Sequence, residues 1–145
     1  MMQLQLPSIV IDTNVLVSAL RSRQGASFAL LRRLLDKRFA VVISVPLMME
    51  YESVLLRPAM VPLTTRQVGD VLDTVCAVAR EQAIHFLWRP QLRDASDDMV
   101  LETAVNGRVD FLVTHNVRDF SGAHTFDVKV MTPHEFLSVI EGAET

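Results

Sequence analysis

Apolar positions along the chain fall into short uninterrupted runs separated by stretches with helical spacing. Ser8-Ile9-Val10-Ile11 reads as a buried strand that ends on three polar residues, Asp12-Thr13-Asn14. Phe28, Leu31, Leu34 and Leu35 then repeat at helical intervals, with Arg32 and Arg33 facing outward. Ala40-Val41-Val42-Ile43 is a second, β-branched run. Ser44 followed by Pro46 marks a helix start, and that helix ends at Arg57-Pro58, where proline disfavours continuation. Thr64-Thr65-Arg66-Gln67 has the spacing of a capping box. Behind it Val68, Val71, Leu72, Val75, Val78 and Ala79 form the clearest amphipathic helix of the chain. A third strand is expected around Ile84-His85-Phe86-Leu87. Asp97-Asp98 opens a helix through Leu101, Ala104 and Val105, closed by Asn106-Gly107. Phe111-Leu112-Val113 is a strand ending on Thr114, and Val128-Lys129-Val130 a weaker one. Thr132-Pro133-His134-Glu135 is a capping box with proline at N1, starting a last helix through Phe136, Leu137 and Ile140.

Strands and helices thus alternate, and the strands lack polar alternation. That pattern predicts an α/β fold of three layers, α/β/α, with a short parallel sheet covered on both faces. With 145 residues, half of them hydrophobic, and only 5 glycines and 6 prolines, the chain reads as a single globular domain over 1–145. No apolar run reaches the roughly 18 residues a membrane helix needs, and the first residues lack a basic region followed by an apolar core, so neither a membrane span nor a signal peptide is expected. The one cysteine, Cys76, excludes an internal disulfide framework and fits a reducing cytoplasm. Fourteen basic against seventeen acidic residues leave a formal charge of −3. This balance disfavours nucleic-acid binding through phosphate contacts alone, although carboxylates loaded with a divalent cation would form a local positive centre.

In open parallel sheets, sites form beyond the carboxyl ends of the strands. Asp12 follows the first strand directly; Thr114, Asn116 and Asp119 follow the fourth. Asp97 opens the helix before the fourth strand, with Asp94 and Asp98 beside it, and Glu50 and Glu52 lie on the helix after the second. Carboxylates gathered in a cleft repel one another unless protonated or bridged by a cation, and hard divalent cations prefer oxygen ligands. Such a centre activates water and stabilises in-line displacement at a phosphodiester, with no obligatory histidine or cysteine. Taken singly, Asp12 suits the cap of a turn after a strand, Asp97 suits a helix N-cap and Glu50 suits a solvated helix face. Their convergence at one edge is what points to chemistry.

Four segments, in order over nearly the whole chain, resemble the motifs of PIN-domain nucleases. They are Ile9-Val10-Ile11-Asp12-Thr13-Asn14-Val15-Leu16, Glu50-Tyr51-Glu52-Ser53-Val54-Leu55-Leu56-Arg57-Pro58, Asp94-Ala95-Ser96-Asp97-Asp98 with Ala104, and Phe111-Leu112-Val113-Thr114-His115-Asn116-Val117-Arg118-Asp119-Phe120. The chain is most similar to the toxins of bacterial toxin–antitoxin pairs (VapC-like). The resemblance implies a PIN-like fold, cleavage of RNA to 5′-phosphate and 3′-hydroxyl ends, an antitoxin partner and a homodimer. It also implies Mg²⁺ or Mn²⁺ held by Asp12, Glu50, Asp97 and Asp119. Asp97 is chosen over Asp98 because Ala104 follows it by seven residues, as the family's small helix residue does. Glu50 is preferred to Glu52 for its distance to Val54-Leu55 and Arg57-Pro58; the helical wheel leaves that choice open. Thr114 would orient an acid or a phosphate, and Asn14 would support Asp12. Many relatives carry aspartate where this chain has Asn116, and Asp119 is the substitute.

Three other readings compete. A haloacid-dehalogenase-like phosphatase would need a second aspartate where Asn14 stands, and no Gly-Asp pair follows Thr114. A receiver domain would need an acidic pair at the first strand. A catalytically degenerate PIN-fold module that binds RNA or a protein partner is the alternative that Asn116 favours. His85, His115, His124 and His134 lack the i, i+4 pairing of a zinc helix and read as surface or loop residues, His115 standing beside the site. Cys76 reads as a small core residue of the long amphipathic helix. Met48, Met49, Leu55 and Leu56 read as core or dimer surface. Arg21, Arg23, Arg57, Arg93 and Arg118 are candidates for phosphate contacts or solvated charges, and Trp88 for base stacking or loop packing.

Overall fold

A computed structural model of the protein describes residues 6–85 and 95–142. Five strands, β1 (Ser8–Ile11), β2 (Ala40–Ile43), β3 (Arg80–Glu81), β4 (Phe111–Val113) and β5 (Lys129–Met131), form one all-parallel sheet in the order β3-β2-β1-β4-β5. The register pairs Ile9 with Val41 on one side of β1 and with Phe111 on the other. Consecutive residues of β1, β2 and β4 are buried, which requires cover on both faces. The helices α1 (Thr13–Arg21), α2 (Ala26–Arg32), α3 (Val45–Leu55), α4 (Thr65–Val78), α5 (Ala95–Asn106) and α6 (Pro133–Gly142) supply it. α5 lies across β2, β1 and β4; α1 packs on α2, α2 on α6, and α3 on α1, α4 and α5. Phe136 pins α6 to the sheet, its ring 5.2 Å from Phe39 edge-to-face and 5.7 Å from Phe111. The α/β architecture expected from the alternating pattern is present. Among the described residues, no helix is long and apolar enough to cross a membrane.

Local chemistry explains most boundaries. Thr64 and Gln67 exchange both bonds of a capping box at the start of α4, and Thr132 and Glu135 do the same at α6. The Ser44 hydroxyl accepts from the Leu47 amide at the start of α3, where Pro46 occupies the first turn.

Two expectations need correction, for the third strand and for Cys76, and two features add to what the sequence implied. Asp12-Thr13-Asn14, the polar end of β1, leads straight into α1, which the sequence pattern does not predict because its buried Val15, Leu16 and Ala19 make too short a stripe for the periodicity to stand out. The third strand is Arg80–Glu81, upstream of the expected segment; Ile84 and His85 follow it irregularly, and Phe86 and Leu87 lie outside the described residues. A two-residue edge strand pairs through its backbone, and both its side chains are exposed and polar, so it carries no apolar signal. Cys76 is exposed, because it stands one position round the helix from the inward-facing Val75. Gly107 does end α5, but Arg108 takes the left-handed conformation, with φ 51°. What Gly107 provides is space. A Cβ there would stand 2.9 Å from Val42 Cγ1 and 3.0 Å from the Thr103 carbonyl, with no slack in a β-branched core residue.

The sheet order places a topological switch at its centre. The chain leaves β1 toward β2 and leaves β4 toward β5, so the loops beyond β1 and β4 diverge and open a crevice.

Gly107→Ala is expected to destabilise the protein by about 1–3 kcal/mol through overpacking, read as a lower urea midpoint. Unchanged stability would show that Val42 and the α5 terminus yield more easily than the close approach implies.

Candidate active site at the carboxyl edge of the sheet

Asp12 and Thr114 flank that crevice, directly after β1 and β4. Both are buried, Asp12 at 6% exposure and Thr114 at 0%. The Thr114 hydroxyl donates to Asp12 Oδ2 at 2.7 Å. Its oxygen accepts from the Asn116 backbone N–H at 3.0 Å and from Asn14 Nδ2 at 3.4 Å. Asn14 Oδ1 in turn accepts from the His115 backbone N–H at 3.3 Å. Asn14 therefore supports Asp12 through Thr114. Asp12 occupies the N-cap position of α1 but makes no side-chain cap bond to that helix. A carboxylate at an N-cap that turns away from the helix amides is committed elsewhere, and the simple capping role falls away.

The other candidate acids stand on α5, on α3 and in the turn after β4. Asp97 and Asp98 stand in the first turn of α5, where the helix dipole favours negative charge. Asp97 is half-buried, and it lies within the helix, so it is not the N-cap. Asp98 is more deeply buried, at 3%, and Glu102 one turn later at 4%. Glu102 is an inward-facing acid that the pattern of apolar residues gave no reason to single out. Glu50 is half-buried on α3. Glu52 is exposed and lines a groove of about 310 Å³ with Leu72, Asp73, Cys76 and Glu81, on the β3 side of β2 and away from β1. Asp119 and Asn116 are both exposed; Asp119 lies in the 3-10 turn Val117–Phe120, which the buried Phe120 anchors. Asp94 lies outside the described residues.

Two groups beside Asp12 escaped the sequence reading. Tyr51 is buried on α3, and its hydroxyl donates to the Ile11 carbonyl. Burial, and then the negative charge of Asp12, push its phenol well above the usual range. The legible signal was a single tyrosine in register with buried Leu47, Val54 and Leu55 on one helix face. Thr13 is the second: its hydroxyl is buried, with no hydrogen-bond partner among the described residues. His115 Nε2 lies 2.7 Å from the Ser27 hydroxyl, tying the loop after β4 to α2, and burial lowers its pKa. Of the remaining histidines, His85 and His134 are exposed. Arg21 is held by the Met60 carbonyl at 2.7 Å, whereas Arg23, Arg57 and Arg118 are exposed; Arg93 and Trp88 lie outside the described residues.

Among the described residues, no group of three or more His, Cys, Asp or Glu side chains stands together where it could hold a metal ion. Mg²⁺ does not require such a group, since it binds through one or two carboxylates and keeps several waters. An all-oxygen donor set, one buried carboxylate held by a hydroxyl, and an unmatched hydroxyl on the next residue fit such an ion and its hydration shell.

The raised pKa of Tyr51 has a measurable consequence. The unfolded chain releases this proton near pH 10, whereas the folded protein retains it, so the associated stability is full below pH 10 and is lost as pH rises above it. The stability difference between wild type and Tyr51→Phe should therefore narrow by about 1 kcal/mol between pH 9 and pH 11 in urea titrations. A constant difference would mean that the phenol titrates as it does in water.

Comparison with known proteins bears on the family and the fold. The family model described as PIN domain matches residues 8–118. No curated protein matches the sequence. Among solved structures, the chain is similar to a chain of VapBC2 from Rickettsia felis, determined bound to a DNA fragment from their promoter. The TM-score is 0.62 at 17% identity, over 86% of this chain and 98% of that one. With the family model spanning well over half of its length and both strand-end motifs meeting at the crevice, the chain belongs to the PIN-domain family.

Proposed function

We propose that this protein is a divalent-metal-dependent endoribonuclease, and that it acts as the toxin of a toxin–antitoxin pair. The observation that carries the reading is the buried Asp12 carboxylate, held by Thr114 at the switch point of a parallel sheet and not used to cap its own helix. Asp12, Glu50 and Asp97, with Asp119 at the rim, are the residues that would hold Mg²⁺ or Mn²⁺. Bound there, the cation supplies Lewis-acid stabilisation of phosphoryl charge and eases deprotonation of water. The chain's own residues set the geometry. Thr114 fixes the rotamer of Asp12, and Asn14 with the Asn116 amide fixes Thr114. The first turn of α5 presents Asp97 where the helix dipole stabilises its charge. Asn116, in place of an acid, lowers the negative charge at the outer end of the site.

The toxin assignment is supported by family membership together with the likeness to a chain of the VapBC2 complex. By the same reading, a cognate antitoxin is the protein partner and the toxin pairs with itself. Its working compartment would be the cytoplasm.

Purified protein incubated with a mixed RNA pool and Mn²⁺ or Mg²⁺ is expected to cleave it, leaving 5′-phosphate ends. EDTA should abolish cleavage, and Asp12→Asn and Asp97→Asn should each lower it at least about 100-fold, more than loss of a supporting hydrogen bond costs. Folded protein that binds the metal but cleaves nothing would instead identify a degenerate RNA- or partner-binding module, with Asn116 as the reason. Cleavage that survives both substitutions would place the site elsewhere.

A further inference from the structure

Tyr51 stands between Glu50 and Glu52 and is the only tyrosine of the chain. Its hydroxyl meets the Ile11 carbonyl, and that carbonyl shares a peptide unit with the Asp12 N–H. The N–H of the same unit donates to the Val113 carbonyl at 2.9 Å. The peptide plane that enters Asp12 is therefore held at both ends, by β4 through its N–H and by α3 through its C=O. Rotation of this plane would swing the Cα–Cβ direction of Asp12. The two tethers come from the elements that carry Thr114 and Glu50.

Phenylalanine would fill the same volume, so packing alone does not account for the hydroxyl. What the hydroxyl adds is a directional bond from α3 to the end of β1, at the helix turn that bears Glu50.

We propose that Tyr51 is a positioning residue of the acidic site. By tying α3 to the peptide unit before Asp12, it sets the direction of the Asp12 carboxylate and holds Glu50 at the same edge. The inference rests on the reading of this edge as a divalent-cation site for phosphodiester cleavage.

The test compares wild type, Tyr51→Phe and Leu47→Val. Leu47→Val alters buried packing on α3 without touching the tether. Calorimetric titration with Mn²⁺ gives a Kd for each protein, and RNA cleavage at saturating Mn²⁺ gives kcat and KM. Tyr51→Phe is expected to weaken Mn²⁺ binding, lower kcat, or both, by about 10–100-fold, as loss of a supporting bond behind a metal ligand does. KM for RNA should not change, and Leu47→Val should lower Tm while keeping the wild-type Kd. Wild-type Kd and kcat in Tyr51→Phe would overturn the proposal, as would an equal loss of Mn²⁺ affinity in Leu47→Val.

If Tyr51→Phe does not fold, wild type carrying ¹³C at the tyrosine ring carbon that bears the hydroxyl gives one assignable resonance. Added Mg²⁺ should shift it with the midpoint seen by calorimetry, and an unmoved signal would overturn the proposal. Wild type that neither binds Mn²⁺ nor cleaves RNA would overturn the underlying reading of the site, and the tether's role with it.

Discussion

Everything at the carboxyl edge of the sheet depends on one hydrogen bond, from the Thr114 hydroxyl to the Asp12 carboxylate. A buried carboxylate is costly unless polar groups replace the water it has lost. Thr114 does this in the charge-assisted form, which is shorter and stronger than a neutral bond. It does so only because β1 and β4 are adjacent and in parallel register, with Ile11 opposite Val113, so that the residues just past each strand end face one another. The strand order thus brings together two residues a hundred positions apart in the chain, at the point where the connections diverge and leave room for a ligand. Asn14, the Asn116 amide and Tyr51 surround this pair. Asn14 and the Asn116 amide bond to the Thr114 oxygen, and Tyr51 bonds to the carbonyl of the peptide unit that enters Asp12.

Under the proposed function, the same edge would reconcile a chain of net charge −3 with a polyanionic substrate. Carboxylates near a phosphodiester are repulsive until a divalent cation lies between them, so under the proposed function the affinity for RNA would be a property of the loaded site more than of the bare surface. Arg21, one of the arginines that the sequence offered for phosphate contacts, is engaged with the Met60 carbonyl, which weakens the case for a purely basic interface.

Parallel strands are legible because they are buried on both faces. β1, β2 and β4 announce themselves as unbroken apolar runs, and the polar residues that stop those runs, Asp12 and Thr114, are the ones the fold brings together. Capping boxes at Thr64 and Thr132 are equally local, and both appear as the sequence implies. What the sequence hides is set by tertiary geometry. β3 has no apolar signature because it pairs through its backbone and both its side chains are exposed. The close approach that requires Gly107 depends on Val42, which lies sixty-five positions away. The side of β2 to which Glu52 turns depends on where α4 and β3 settle. Tyr51 looks like one more apolar position on a helix until its hydroxyl is seen at the end of β1.

The central claim is that the Asp12 carboxylate is the pivotal ligand of a divalent cation. Direct Mn²⁺ binding, followed by electron paramagnetic resonance on wild type and Asp12→Asn, tests it without reference to any substrate. Asp12→Asn keeps the size of the side chain and a carbonyl oxygen to accept from Thr114, so the fold should persist. The account predicts saturable Mn²⁺ binding to wild type that is lost, or weakened at least about tenfold, in the variant. Equal binding by both proteins would contradict it and would move any metal site away from the Asp12–Thr114 pair.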